Sequence, residues 1–183
     1  MARKAEWEKL KEQSLKTFGE ESIFGEGSLN SRLAVVGEAP GKHEVEEGRP
    51  FVGNAGKLLD ELLEGAGIDR SKLYVTNIVK IRPTKESGGS TQNRPPRAGE
   101  IREGIGLLKE ELDLVKPRAL ALLGSTPAKA LKKKSFTLGS EHGTLFDTEF
   151  WMPALATYHP AYLLRLRGGR QRRLRSDEAT SYR

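Results

Sequence analysis

The chain has 183 residues, no cysteine, and 31 lysine and arginine side chains against 25 acidic ones, a net charge of +6. Without thiols it can build neither a disulfide framework nor a thiolate-held zinc or iron–sulfur centre. No apolar run approaches a membrane span, and Met1-Ala2-Arg3-Lys4 opens into charge rather than a signal-peptide core. These features predict a cytoplasmic protein of one domain, or one domain and a tail, whose basic charge suits a polyanion such as nucleic acid.

Trp7, Leu10, Leu15 and Phe18 stand at roughly helical spacing among charges and predict an amphipathic helix over 7–18, ending near Gly19. Residues 33–36, Leu-Ala-Val-Val between Asn30-Ser31 and Gly37, read as a buried strand. Ala55, Leu58, Leu59, Leu62 and Leu63 line one face of a helix over 54–66, which stops at Gly65 and Gly67. The β-branched, apolar stretch 73–79, with Asn77 inside it, predicts a second strand limited by Pro83. Residues 85–99 hold Gly88-Gly89-Ser90 and Pro95-Pro96 and predict a long irregular loop.

Ile101, Ile105, Leu108, Leu112 and Val115 then repeat at helical spacing until Pro117, and 119–123 is a third buried strand. Ser125 is placed to cap a short helix reaching Leu131, with Pro127 in its first turn. Residues 144–150 read as a hairpin-like or edge element and 154–157 as a fourth core strand ending near His159. Alternation of strand and helix predicts an α/β fold, a three-layer α/β/α sandwich around a central, mainly parallel four-stranded sheet. The domain is expected to span 1–165. Residues 166–183, with Arg167, Arg170, Arg172, Arg173 and Arg175, form a basic tail, either an arm for phosphates or a solvated extension.

Two glycine- and proline-punctuated loops follow predicted strands: Gly37-Glu38-Ala39-Pro40-Gly41 with Gly48-Arg49-Pro50-Phe51-Val52-Gly53, and Thr157-Tyr158-His159-Pro160-Ala161-Tyr162-Leu163-Leu164-Arg165. Such loops at strand ends are how an open α/β sheet builds a pocket. Together with Thr76-Asn77-Ile78-Val79-Lys80 and Asn93-Arg94 between them, these segments resemble the motifs of the uracil-DNA glycosylase superfamily, and within it family four, the thermostable iron–sulfur group. Similarity extends from about Phe24 to Arg165. The resemblance implies a monofunctional, monomeric enzyme associated with the nucleoid that flips uracil out of DNA and hydrolyses its N-glycosidic bond. Two alternatives stay open: a non-catalytic DNA-binding relative, and a glycosylase of altered scope for other deaminated bases.

The resemblance also assigns residues. Phe51 offers a flat face for a flipped pyrimidine, unless it is an ordinary core aromatic. The Asn77 amide suits the N3–H and O4 edge of uracil and mismatches cytosine. His159 is placed to donate to uracil O2 as charge collects on the departing base. Glu38 and Asn93 are implied to hold or activate the attacking water, and Ala39 and Pro40 to line the base pocket. Glu44 is implied to crowd the pyrimidine C5 position and reject thymine, unless it is one more solvated acid beside Glu46 and Glu47. Pro160, Tyr162, Leu163 and Leu164 would form a loop wedged into the minor groove, and Lys80, Arg82 and Arg165 would meet phosphates.

Where the family's pattern has cluster cysteines, this chain has residues near Leu10 and Gln13, Ile81, and a position near Gly104. The expectation is therefore an enzyme with neither metal nor organic cofactor, in which apolar packing takes over the cluster's cross-linking. The central loop, 82–97, lacks the histidine with which a related subgroup bonds covalently to DNA. His43 and His142 have no metal-site spacing and are expected at the surface.

Overall fold

The structure, a computed structural model, describes residues 2–132 and 135–168. The tail arginines from Arg170 onward and the lysines at 133 and 134 lie outside the described residues. The chain begins with helix α1 (Ala2–Phe18), followed by β1 (Glu26–Gly27), β2 (Leu33–Gly37), α2 (Lys42–Glu47), α3 (Asn54–Gly65) and a single 3-10 turn, Arg70–Lys72. It continues through β3 (Tyr74–Asn77), β4 (Thr84–Ser87), β5 (Ser90–Asn93), α4 (Ala98–Val115), β6 (Ala119–Leu123), α5 (Ser125–Leu131), α6 (Leu138–Glu141), β7 (Leu145–Asp147) and β8 (Pro153–Thr157). A last helix, α7, covers 160–168.

The central sheet has six strands in the order β1-β3-β2-β6-β8-β7, not four. The four predicted strands are its parallel centre, β3-β2-β6-β8, while β1 and β7 flank it antiparallel. With two and three residues, the flanking strands are too short to carry a readable period. Alternation along each central strand sends Val35, Val75 and Leu123 to one face, where Leu59 and Leu63 of α3 cover them. Ala34, Val36, Tyr74, Leu120, Leu122, Ala154 and Ala156 face the other side, beneath Leu108, Leu112 and Val115 of α4 and Leu131 of α5. Helix α1 lies outside α4, with Leu10 against Phe24 and Leu107. Its inner face is set by Leu10 and Ser14; Leu15, counted on that face by spacing, is exposed.

Two further expectations are corrected. The segment read as an irregular loop contains a hairpin, β4 against β5, because Gly88 and Gly89 both adopt the positive φ that a tight connection needs. The cap of α5 is Gly124 (φ 100°), whose conformation excludes most side chains, so Ser125 falls inside the helix.

Register carries the fold's functional consequence. Gly37 pairs with Asn77 and Leu123 with Thr157, so the C-terminal ends of all four parallel strands finish at one level. The ladder runs on past the strands, with Ile78 N–H donating to Gly37 O and Val79 N–H to Glu38 O, both at 3.0 Å.

Candidate active site

Beyond those strand ends lies a cleft of about 950 Å³, lined by Glu38, Phe51, Asn77 and His159 together with Ala39, Pro40 and Glu44. This is where an open parallel sheet ordinarily binds ligands, and the volume sits at the upper end of small-molecule pockets, roomier than a lone base requires.

Phe51 forms its floor. The ring is 4% exposed, yet its backbone sits at φ 55°, in the left-handed region that an aromatic residue rarely occupies. Such a conformation costs roughly 1–3 kcal/mol and persists only where surrounding contacts enforce it. Phe51 is thus both a core residue, packed with Val35, Leu59 and Val75, and a wall of the cleft. Gly37 permits this closeness: a Cβ there would stand 2.2 Å from Asn77 Oδ1 and 2.5 Å from Phe51 Cζ.

Asn77 is 2% exposed, and among the described residues nothing donates to its Oδ1. A buried amide oxygen left without a partner costs about 1–3 kcal/mol, a cost that a bound donor would return. His159 lies beside Phe51, ring centroids 5.8 Å apart and planes inclined by 29°. Its Nδ1 accepts from Ala161 N–H at 3.1 Å, which leaves the proton of the neutral ring on Nε2. Burial, followed by the charge of Arg165, holds this imidazole below its ordinary value of 6.5, with Glu44 opposing. The three residues combine a flat apolar face, a paired donor and acceptor, and a neutral N–H donor.

The remaining predicted residues surround them. Glu38 accepts from the Thr126 hydroxyl, which pins one carboxylate oxygen. Glu44 Oε2 accepts from Gly41 N–H at 3.0 Å, so this carboxylate caps α2 as well as lining the cleft. Asn93, the last residue of β5, is exposed on the rim, its Oδ1 taking the Arg82 Nε–H at 2.7 Å. His43 and His142 are exposed, as expected.

Lys80 is not a surface cation. It is fully buried, 2.6 Å from Glu111 Oε1, and donates to Thr76 Oγ1 at 2.8 Å and Asn77 O at 2.7 Å. Glu111 also accepts from Thr76 and Tyr74 hydroxyls. Burial pushes the Lys80 ammonium down while the adjacent carboxylate supports its charge. A DNA contact for Lys80 is therefore withdrawn. The segment read as a wedge loop is helix α7, beginning at buried Pro160. Tyr162, stacked on Tyr158 at 5.5 Å, and Arg165, over the Tyr162 ring at 5.9 Å, line the cleft mouth; Leu163 and Leu164 are half-buried and do not line it.

Three supports went unrecognised in the sequence: Thr126 beneath Glu38, Glu111 beneath Lys80, and Arg70 beneath Phe51. Thr126 follows the end of β6, and the rule that strand ends carry function was the available signal. Arg70 and Glu111 gave none, since neither follows the end of a predicted strand.

Ile81 and the positions near Leu10, Gln13 and Gly104, where the family's pattern has cluster cysteines, do not fit an iron–sulfur centre. Leucine, glutamine, isoleucine and glycine supply no thiolate. Leu10 packs into the α1–α4 contact, Ile81 against the main core, and Gln13 is exposed. At Gly104 a Cβ would lie 2.2 Å from Ile78 O, so even the first atom of a ligating side chain lacks room.

The profile of the Uracil DNA glycosylase superfamily matches residues 24–179. The Type-4 uracil-DNA glycosylase of Thermotoga maritima is 36% identical over 153 residues, covering 83% of this chain and 76% of its own length. That of Pyrobaculum aerophilum is 36% identical over 170 residues, 87% of this chain and 83% of its own. A Type-5 uracil-DNA glycosylase from Pyrobaculum aerophilum is 32% identical over 154 residues, covering 75% of this chain and 64% of its own length. The architecture is an open α/β sheet with a ligand-sized cleft at its parallel strand ends, and the chain belongs to the uracil-DNA glycosylase superfamily.

Proposed function

We propose that the chain is a monofunctional uracil-DNA glycosylase: it turns uracil out of DNA into the cleft and hydrolyses the N-glycosidic bond, leaving an abasic site for base-excision repair. The observation that carries this reading is the buried Asn77 amide, unpartnered on its oxygen among the described residues and, like the edge of the Phe51 ring, close against Gly37. The amide oxygen accepts uracil N3–H and its NH2 donates to O4. Cytosine has no proton on N3 and presents an amino group in place of O4, so both bonds fail.

As the C1′–N1 bond opens, negative charge gathers on uracil O2 and positive charge on the sugar. His159 Nε2–H donates to O2, and the neutral ring can do so without taking part in proton exchange. Glu38, with one oxygen held by Thr126, faces the sugar cation and aligns water for attack on C1′; the proton released ends on the departing base. Asn93 assists from the rim, Ala39 and Pro40 flank the base, and Glu44 guards C5. Tyr162 and Arg165 at the cleft mouth, with Pro160, Leu163 and Leu164 of α7 behind them and Arg82 on the rim, form the DNA face.

The reading takes the enzyme to act as a monomer. No described helix is long and apolar enough to cross a membrane, and a DNA substrate supports a cytoplasmic, nucleoid-associated enzyme. The absence of thiolates supports catalysis without an iron–sulfur cluster.

Single-turnover incubation with a duplex containing one deoxyuridine tests the reading. The expected result is free uracil and an alkali-labile site; tight binding with no released base would instead establish a non-catalytic relative.

A further inference from the structure

The floor of the cleft is strained, and the restraint comes from a residue outside the cleft. Arg70 opens the turn before β3 and aims its guanidinium at the loop 48–53. Nη1 donates to Phe51 O and Nη2 to Pro50 O, each at 3.0 Å, so one planar fork grips two consecutive carbonyls. The two carbonyls belong to the peptides on either side of the Phe51 Cα, where φ is 55°. The same two nitrogens are held by acids, Nη1 donating to Asp60 Oδ1 of α3 at 2.6 Å and Nη2 approached by Glu26 of β1 at 3.7 Å. Glu26 in turn takes the Arg49 guanidinium at 2.8 and 3.0 Å, tying the start of the same loop to the same carboxylate. Helix α3 closes the arrangement from below: a Cβ at Gly56 would fall 1.9 Å from Phe51 O.

We propose that Arg70 is a positioning residue for base recognition, its two-carbonyl grip holding Phe51 in the left-handed conformation that presents the ring to the cleft. This rests on the cleft being the base pocket. Arg70 does not line the cleft, so it acts only through Phe51. Lysine cannot substitute for it, because an ammonium lacks the planar pair of donors that matches two adjacent carbonyls. The cost of losing the grip would be misplacement of the stacking face by a fraction of a ring width, which enzymes feel strongly in the chemical step.

The test uses Arg70→Met and Arg70→Lys, the latter retaining charge beside Asp60 and Glu26 and so protecting the fold. Crystal structures of the variants give a readout independent of activity: Phe51 is expected to leave positive φ and its ring to shift from the cleft floor. An unmoved Phe51 in a folded Arg70→Met or Arg70→Lys protein overturns the proposal. In single-turnover uracil release, each variant is expected to lose about tenfold to a hundredfold in rate with little change in KM for DNA. The same substitutions made in Phe51→Ala protein are expected to cost nothing further. Equal losses in both backgrounds would show Arg70 to be merely structural and overturn the proposal. Failure of wild-type protein to release uracil would instead strike the glycosylase reading, leaving the crystallographic test of Arg70 in force.

Discussion

In the proposed function, Asn77 and His159 divide recognition from chemistry. The Asn77 amide is buried with an oxygen that no described residue satisfies, a cost that structure alone does not recover. Asn77→Ala is expected to lower the single-turnover rate by about 10²–10³, the scale of losing one preorganised transition-state donor, with an unchanged circular dichroism spectrum. His159→Ala is expected to show a similar loss. The state of His159 also sets the pH profile. Its pKa is lowered, so the neutral ring survives as pH falls past 6.5, and protonation at Nδ1 below that point breaks the bond from Ala161 N–H. The acid limb of the release rate is therefore expected to be centred below 6.5; an acid limb centred above 6.5 contradicts the assignment.

At the scale of elements, the site depends on how the β4–β5 hairpin is fastened. Arg94, next to Asn93, donates to both Glu100 oxygens at 2.8 and 2.6 Å and to Thr84 O at 2.9 Å, joining the hairpin base to the first turn of α4. The Arg94 hydrogen bonds, aided by Arg97 N–H, hold the Glu100 carboxyl down to about 2 against burial. With the folded value depressed, this stabilisation is complete above 4.5 and is lost as pH falls toward about 2. Glu100→Gln is expected to lower the thermal midpoint at neutral pH, and the gap from wild type should close across that acid window. The sequence showed the glycines of this hairpin but not the hairpin itself. Its strands are wholly polar, with three of four β4 residues and all of β5 exposed, so no apolar alternation marks them. Helix α7 was hidden by a different cause: His-Pro reads as a loop, while Pro160 is well placed to begin a helix.

Across the whole molecule, the parallel sheet was legible because Leu33-Ala34-Val35-Val36, 73–79, 119–123 and 154–157 are short apolar runs separated by helical periodicity. The pocket was legible because glycine- and proline-bearing motifs follow two of those runs. Lys80 was misread because lysine is almost always exposed, and its burial depends on Glu111, a carboxylate carried by another layer. Lys80→Met leaves that carboxylate buried and unpaired and is expected to cost about 3–5 kcal/mol in denaturant unfolding. Adding Glu111→Gln should recover much of the loss, since the amide keeps an acceptor for Thr76 and Tyr74 without the charge. The DNA face predicts salt-sensitive binding, and Arg165→Ala is expected to lower the log–log salt slope by roughly 1 without changing sequence preference.

The central claim is that Phe51, Asn77 and His159 form one uracil-reading site. A crystal of the protein soaked with uracil tests it most directly. The expected density places the base over the Phe51 ring, N3 and O4 within hydrogen-bond distance of the Asn77 amide and O2 facing His159 Nε2. Uracil bound elsewhere, or seated in the cleft with that edge turned away from Asn77, would contradict it.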